Sequence, residues 1–531
     1  MDPDEIIEIP VQRANRQIAR AAGSIMLVMV LSQALTLLSS MLLTRAFGTG
    51  PQNDAFIASN RFADIIYNLV AGGALASAFI PTFTTLLAHD DRKTAWQLAS
   101  AIANWVTLIL VTLAAASAIF APWVVRIVLA PGFADDPVAL SLAVNLLRIQ
   151  LAAPIIFGVS GLLMGILNSH QSFILPALAP CLYSLGKIFG ILVLVPLMGV
   201  NGLAWGVVIG AAMHGLIQLP GLLRLPDRKY SLTLGLKLPQ VREVVRLMGP
   251  RLLGVASVQI NFLVNTNLAS PIAGAVTAIY VAFAAMLIPE AAIAQAMAIA
   301  ALPTFSAQVA RGRLDEMRSS LAALLRGVIL LALPASVGLI LLRTPLVSLV
   351  YQGGAFGVQS TQMVAWALLW YAAGLVFHSV VEIVSRAFYA LHDTKTPVFI
   401  AVAAMSLNIA LSFLFLAWFA SLGLMAFGGL ALANTVATGL ESAALVWFMR
   451  RKLNGLEGRS ILAGTIGAVV CSLVMAGALY GWLVISTGLP VWIISLIGIL
   501  VGITVYTAML AILRVPEFNS VVGALKSRLL K

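Results

Sequence analysis

Apolar positions run along this chain in blocks of roughly twenty residues or more, from residue 21 to residue 513, separated by short polar stretches rich in Arg, Lys, Gly and Pro. A block of that length, wound at about 1.5 Å per residue, covers a hydrocarbon layer about 30 Å thick. A membrane barrel would show short segments of alternating polarity instead. The pattern predicts an all-α integral membrane protein with about fourteen spans, over 21–46, 54–87, 95–120, 138–167, 174–196, 201–224, 248–270, 275–309, 320–345, 359–390, 397–419, 425–449, 460–484 and 490–513.

The blocks repeat. Residues 74–92, ALASAFIPTFTTLLAHDDR, align without gaps on 296–314, AMAIAALPTFSAQVARGRL, at an offset of 222, and share the triplet Pro81-Thr82-Phe83 with Pro303-Thr304-Phe305. Pro176 after the fourth span and Pro397 after the tenth stand 221 apart. Proline hinges are also a common way to end a helix at a membrane surface, but two matches at nearly one offset favour a repeat. The expectation is two six-helix lobes related by a pseudo-two-fold axis along the membrane normal, plus two extra C-terminal helices. The divisions are a tail at 1–20, an N-lobe at 21–224, a linker at 225–247, a C-lobe at 248–450, the extra pair at 459–513 and a tail at 514–531.

Composition and charge sharpen this. The 531 residues are 61% hydrophobic and 10% charged, with a mean hydropathy of +1.00, where soluble domains carry about 25% charged residues. About 26 of the 32 basic residues fall on the N-terminal tail, the connections after even-numbered spans and the C-terminal tail, which places both termini in the cytoplasm. Basic loops beside anionic lipid account for the +12 charge without nucleic acid. The start, MDPDEIIEIP, is acidic, so no cleaved signal peptide is expected. Cys181 and Cys471 lie inside spans and suggest neither a disulfide framework nor a metal site. No nucleophile with a base, nucleotide loop or cofactor motif occurs, and the longest aqueous connection is too short for a soluble core; the chain is not expected to be an enzyme.

Charges at membrane depth are costly and face a partner or a watery cavity. The candidates are Arg61 and Asp64, Arg148, Lys187, Glu290, Glu382 and Glu441. Arg61 and Asp64 are helix neighbours, and Asn60, Asp64, Tyr67 and Asn68 form a stripe with Asp54 just ahead of it. Gln33, Thr36 and Ser40 share a face of the first span, as do Ser257, Asn261 and Asn265 of the seventh. For the amides two readings stand side by side, cavity lining and hydrogen bonds between helices. Arg148 and Lys187 are anion contacts or snorkelling side chains.

An ordered set of motifs resembles one family: AFGTGPQNDAF, GGALASAFIPTF, APGFAD, GILNSHQSFILPALAP, LMGPRLLG, NFLVNTNLAS and RAFYALHDTKTPV. It is similar to the lipid II flippases called MurJ or MviN, of the MOP exporter superfamily, through nearly the whole chain. The resemblance implies export of an undecaprenyl-pyrophosphate-linked muropeptide across the bacterial inner membrane by alternating access. It also implies a head group crossing a polar cavity, a tail along a groove of the last two spans, and a role in cell-wall biogenesis and cell shape. The partners it implies are lipid II, membrane lipids and cell-wall synthesis proteins, with a monomeric carrier. RAFYALHDTKTPV reads as the cytoplasmic turn between the tenth and eleventh spans, with Arg386, His392, Asp393 and Lys395 at the headgroups.

A pyrophosphate calls for a cationic clamp, and here the chain departs from the family. The first span has Gln33 after Ser32, and Ser39, where the pattern has arginines; Ala63 to Tyr67 replace Pro-Asn-x-x-Arg; Ala284 stands at another arginine position, with Glu290 after Pro289. Asp54 matches. The expected substrate-binding set is Gln33, Ser39, Asp54, Arg61, Asp64, Tyr67, Arg148, Lys187, Asn261, Asn265 and Glu290. A carrier for another lipid-linked glycan or amphiphile, and a non-transporting scaffold, are the competing readings.

Overall fold

The computed structural model describes residues 28–70 and 73–515; the expected tail at 1–20 and nearly all of that at 514–531 lie outside them. The chain forms two compact units, Met1–Pro271 and Ile272–Lys531. The first holds α1 (Val28–Phe47), α2 (Pro51–Val70), α3 (Gly73–Ala88), α4 (Arg92–Ile119), α5 (Pro137–Ser169), α6 (Ile174–Met198), α7 (Asn201–Leu223) and α8 (Pro239–Ala269). The second holds α9 (Ala275–Ala310), α10 (Leu314–Tyr351), α11 (Val358–Ala373), α12 (Leu375–Ala390), α13 (Lys395–Ser421), α14 (Gly428–Lys452), α15 (Gly458–Ile485) and α16 (Val491–Ile512). Among the described residues the structure is helical, with one isolated bridge between Gly353 and Phe356.

Eleven of these helices are long and apolar enough to cross a membrane, and α11 with α12 makes a twelfth, bent by 46°. The remaining two of about fourteen expected spans are α2 with α3, and α8. Helix α2 falls short because Asn53, Asp54, Asn60, Arg61, Asp64 and Asn68 all lie on it. The bend in the expected single span 359–390 has a local cause. Thr435 of α14 donates to the Trp370 carbonyl at 2.7 Å, and a Cβ on Gly374 would lie 2.6 Å from the Thr435 hydroxyl. A side chain that takes a carbonyl from the helical ladder bends the helix there.

Helices α6 and α7 cross with their backbones in contact. A Cβ on Gly186 would stand 2.2 Å from the Gly210 Cα, and one on Gly190 2.6 Å from the Gly206 Cα. Lipid gives apolar helices no hydrophobic reason to associate, so close packing of small residues at four-residue spacing holds them. The crossing fixes α6, and with it Lys187, directly beside the contact. A π-helical turn, Gly190–Leu194, follows at once.

Helix α8 belongs to the first compact unit, although the repeat places it at the head of the second half. Its last turn is tied to the loop after α4: Asn267 Nδ2 donates to the carbonyls of Ile127 (3.3 Å) and Val128 (3.0 Å), and the Gly132 N–H donates to Ser270 Oγ at 3.0 Å. Gly132, in APGFAD, is needed for this approach, since a Cβ there would fall 2.3 Å from the Pro271 nitrogen.

One closure ends seven helices among the described residues, at Asp90, Gln171, Gly312, His392, Gly423, Asn454 and Arg514, and the first four of these form two pairs at the repeat offsets. The helices before Asp90, Gln171, Gly312 and His392 each end with a left-handed residue (φ 54°, 57°, 70° and 56°). In each, that residue's N–H returns to the carbonyl three back and the next N–H to the carbonyl five back. This is a double C-terminal cap that satisfies orphan carbonyls. In the second unit α15 and α16 are fastened to α10: Arg326 Nη1 donates to Ser460 Oγ of α15 at 2.6 Å, and from α16 Tyr506 Oη donates to the Leu330 carbonyl at 2.6 Å and Ser495 Oγ to the Pro345 carbonyl at 3.0 Å.

Candidate functional site

The polar stripe of α2 turns toward α5, α6 and α8 of its own unit. Arg61 and Lys187 both lie within electrostatic reach of Asp64, so three charges, two positive and one negative, meet inside the bundle. Each cation rests on an aromatic face: the Arg61 guanidinium is 4.5 Å from the Phe262 ring centre and the Lys187 ammonium 4.7 Å from that of Tyr183. A ring quadrupole stabilises such a cation. Tyr67, Phe157 and Tyr183 continue the aromatic floor, with centroid separations of 5.4 Å and 5.0 Å.

Behind this floor His214 meets Phe157 edge-to-face, with ring centres 5.2 Å apart, and its Nδ1 pairs with Ser160 Oγ at 2.6 Å. Gln218 Nε2 donates to the same Ser160 oxygen at 2.8 Å and to the His214 carbonyl at 3.0 Å, and all three residues are buried. This polar triad escaped the sequence reading, which weighed charges and the stripes of the first, second and seventh spans. The spacing of His214 and Gln218, one turn apart on an apolar helix, was the available signal.

The other expected residues are dispersed. Asp54 is buried at the head of α2, about 15 Å along the axis from Asp64. Its negative charge suits the positive end of that helix. On α1, Ser39 is buried and Gln33 exposed, while Thr36 bonds to Ser184 of α6 at 3.1 Å. Asn261 and Asn265 are buried and join to each other along α8 at 3.4 Å. Arg148 is exposed and its Nε donates to the Ala118 carbonyl at 3.1 Å, where it caps the end of α4 away from the three charges.

Glu290 lies in the second unit, buried, and accepts from Gln295 at 2.9 Å across a second π-helical turn, Ala291–Gln295. Glu382 is close enough to act on it and is itself bound to Arg386 at 2.6 Å. Glu441 is buried on α14 and, with Glu382, acts on Tyr389. The first unit thus gathers two basic side chains around Asp64, and the second three carboxyls, Glu290, Glu382 and Glu441, with Arg386. Among the described residues no three His, Cys, Asp or Glu side chains are arranged to hold a metal ion.

The family model described as lipid II flippase MurJ matches residues 43–501. The chain belongs to the lipid II flippase MurJ family. It is 31% identical over 466 residues to the lipid II flippase MurJ of Burkholderia cenocepacia, covering 86% of this chain and 88% of that one. A probable lipid II flippase MurJ of Vibrio cholerae is 27% identical over 509 residues, 92% and 94% of the two chains. Among solved structures, a lipid II flippase MurJ in an inward closed conformation superposes with a TM-score of 0.78 at 23% identity, over 92% of this chain and 98% of that one. An inward-facing MATE family transporter of the MOP superfamily gives 0.65 at 15% identity, over 80% and 96%. These two likenesses establish the fold. In this chain Lys187 brings a cation to Asp64 from α6.

Proposed function

We propose that this protein is a lipid II flippase that carries the undecaprenyl-pyrophosphate-linked peptidoglycan precursor from the inner to the outer leaflet of the bacterial cytoplasmic membrane. The observation that carries the reading is the MurJ family match along residues 43–501. It favours this substrate over another lipid-linked glycan and over a scaffold role.

In this reading Arg61 and Lys187 hold the pyrophosphate. Each is seated on an aromatic ring, and charge-assisted hydrogen bonds to phosphate contribute about 1.5–3 kcal/mol apiece. Asp64 keeps the empty site from carrying two unopposed buried cations and weakens the grip enough for release. Tyr67 and Gln33 serve the sugar and peptide hydroxyls and amides, with Asp54, Ser39, Asn261, Asn265, Arg148 and Glu290 along the path. The two lobes of the repeat rock in alternating access with both termini cytoplasmic, and the lipid tail stays in hydrocarbon along α15 and α16. The protein acts as a monomer beside the cell-wall synthesis proteins and performs no bond chemistry.

The test is complementation. Bacteria depleted of their own lipid II flippase and expressing this chain are expected to survive and to expose lipid II on the outer leaflet. Arg61→Ala and Lys187→Ala are expected to insert normally and to fail. A well-inserted wild-type chain that restores neither survival nor exposure would overturn the substrate assignment.

A further inference from the structure

The connection between α7 and α8 is not slack. Residues 228–235 form no regular element and lie against α4, clamped by three of its side chains. Asn104 Nδ2 donates to the carbonyls of Ser231 (3.1 Å) and Thr233 (2.8 Å), and Trp105 Nε1 to that of Leu234 (2.9 Å). The Ser231 N–H donates to Ser100 Oγ at 3.2 Å, the Tyr230 hydroxyl to Asn104 Oδ1 at 2.6 Å, and Arg92 pairs with Asp227 at 2.8 Å. Gly235, left-handed at φ 57°, turns the strap toward α8.

The clamp leaves an apolar ribbon outside. Tyr230, Leu232 and Leu236 are 71%, 90% and 73% exposed, and Leu232 is the most exposed large apolar side chain among the described residues. Exposed Arg228, Lys229 and Lys237 flank them, with Arg242 and Arg246 on the first turns of α8. The nearby acids are Asp90 and Asp227, both paired with Arg92, Asp91, which caps α4, and Glu243.

Depth identifies the surface this ribbon meets. Counting back from Ile119, about 20 residues of α4 fill about 30 Å of hydrocarbon and reach Ser100. The strap is therefore held at the hydrocarbon edge, where an indole such as Trp105 is at home. One turn further along the same face of α4, Leu108 and Ile109 are exposed as lipid-facing residues are. A water-soluble partner does not reach this depth, and the basic flank matches an anionic leaflet.

We propose that residues 228–237 form an interfacial strap whose Tyr230, Leu232 and Leu236 side chains insert at the headgroup–acyl boundary of an anionic leaflet, with Arg228, Lys229 and Lys237 on its phosphates. The strap holds the first unit at a set depth, and this holds whatever the substrate.

The test uses the full chain in nanodiscs of phosphatidylglycerol and phosphatidylcholine. A nitroxide is attached at Leu232→Cys in a Cys181→Ala, Cys471→Ala background. References are Leu473→Cys on the exposed side of α15 and Asp90→Cys in an aqueous turn. Relaxation by oxygen is expected to exceed that by a water-soluble nickel chelate several-fold at Leu232, as at Leu473 and opposite to Asp90. Preference for nickel would place the ribbon in water, and low relaxation by both would show that protein covers it; either result overturns the proposal. The combined Arg228→Gln, Lys229→Gln, Lys237→Gln chain is expected to lose part of the oxygen preference in anionic discs and none in pure phosphatidylcholine. No loss in the anionic discs would remove the phosphate contacts.

Discussion

Gln171 and His392 stand 221 residues apart and hold the same left-handed backbone conformation, φ 57° and 56°, each closing its helix with the same pair of hydrogen bonds. Asp90 and Gly312, 222 apart, do likewise. A non-glycine residue in this region costs about 1 kcal/mol or more, and the same closure also stands at Gly423, Asn454 and Arg514. Replacing Gln171 or His392 with Gly is expected to stabilise the protein slightly, by up to about 1 kcal/mol, and replacing either with Val to destabilise it by more. Thermal unfolding in detergent checks both; Val variants as stable as the parent would show that the turns carry no strain.

The turn containing His392 also carries an acid-sensitive contact. Burial works to raise the Asp393 carboxyl, but the Lys452 ammonium at 2.5 Å and the Thr396 N–H and hydroxyl at 3.0 and 2.8 Å outweigh it and hold it at about 2. A carboxyl depressed in the folded state stabilises fully above its ordinary value near 3.8, and this contribution disappears as pH falls toward 2. Asp393→Asn is expected to unfold at lower temperature than the parent at pH 7, with the gap closing between pH 4 and pH 2. A gap that persists at the lowest pH would place the stabilisation elsewhere.

At the α6–α7 crossing, Gly186→Ala places a methyl against backbone that cannot yield, and a loss of about 1–3 kcal/mol is expected. Gly477→Ala on α15, with nothing within 4 Å of the added carbon, serves as the neutral control. Equal melting of the two variants would mean that the helices separate without cost.

Asp64→Asn removes the negative charge between Arg61 and Lys187. Lipid II is expected to bind more tightly, by roughly tenfold for about 1.4 kcal/mol, and to be released more slowly. Binding by native mass spectrometry together with flippase turnover separates the two effects. Weaker binding would instead give Asp64 a direct role in holding the substrate.

Asn104→Ala removes two hydrogen bonds donated to the strap and one accepted from Tyr230. Amide hydrogen exchange over residues 228–236 is expected to quicken severalfold while α4 itself stays protected. Unchanged exchange would leave the clamp to Trp105 and Ser100.

The helical spans were legible because hydrophobic length alone reports them, and the four-residue spacing of Gly186 with Gly190, and of Gly202, Gly206 and Gly210, was open to reading as a contact. The bend at Gly374 was not, since it depends on a threonine 61 positions away. Arg61 and Asp64 were found as a pair because they share a helix face. Their third partner, Lys187, was read as an anion contact or a snorkelling side chain, without its nearness to Asp64, because nothing local says which way α6 is rotated. The same ignorance of rotation hid the exposure of Arg148 and the mutual bond of Asn261 and Asn265.

Helix α8 is tied to the first unit at both ends, by the Asn104 and Trp105 clamp before it and by the Asn267 and Ser270 contacts after it. The long connection at 225–238 is therefore already spent and supplies no free length. The first unit ends at Pro271, just after these contacts. A helix held at both ends by its own unit belongs to that unit's framework, and Asn261 and Asn265, which bond to each other along it, keep their place there.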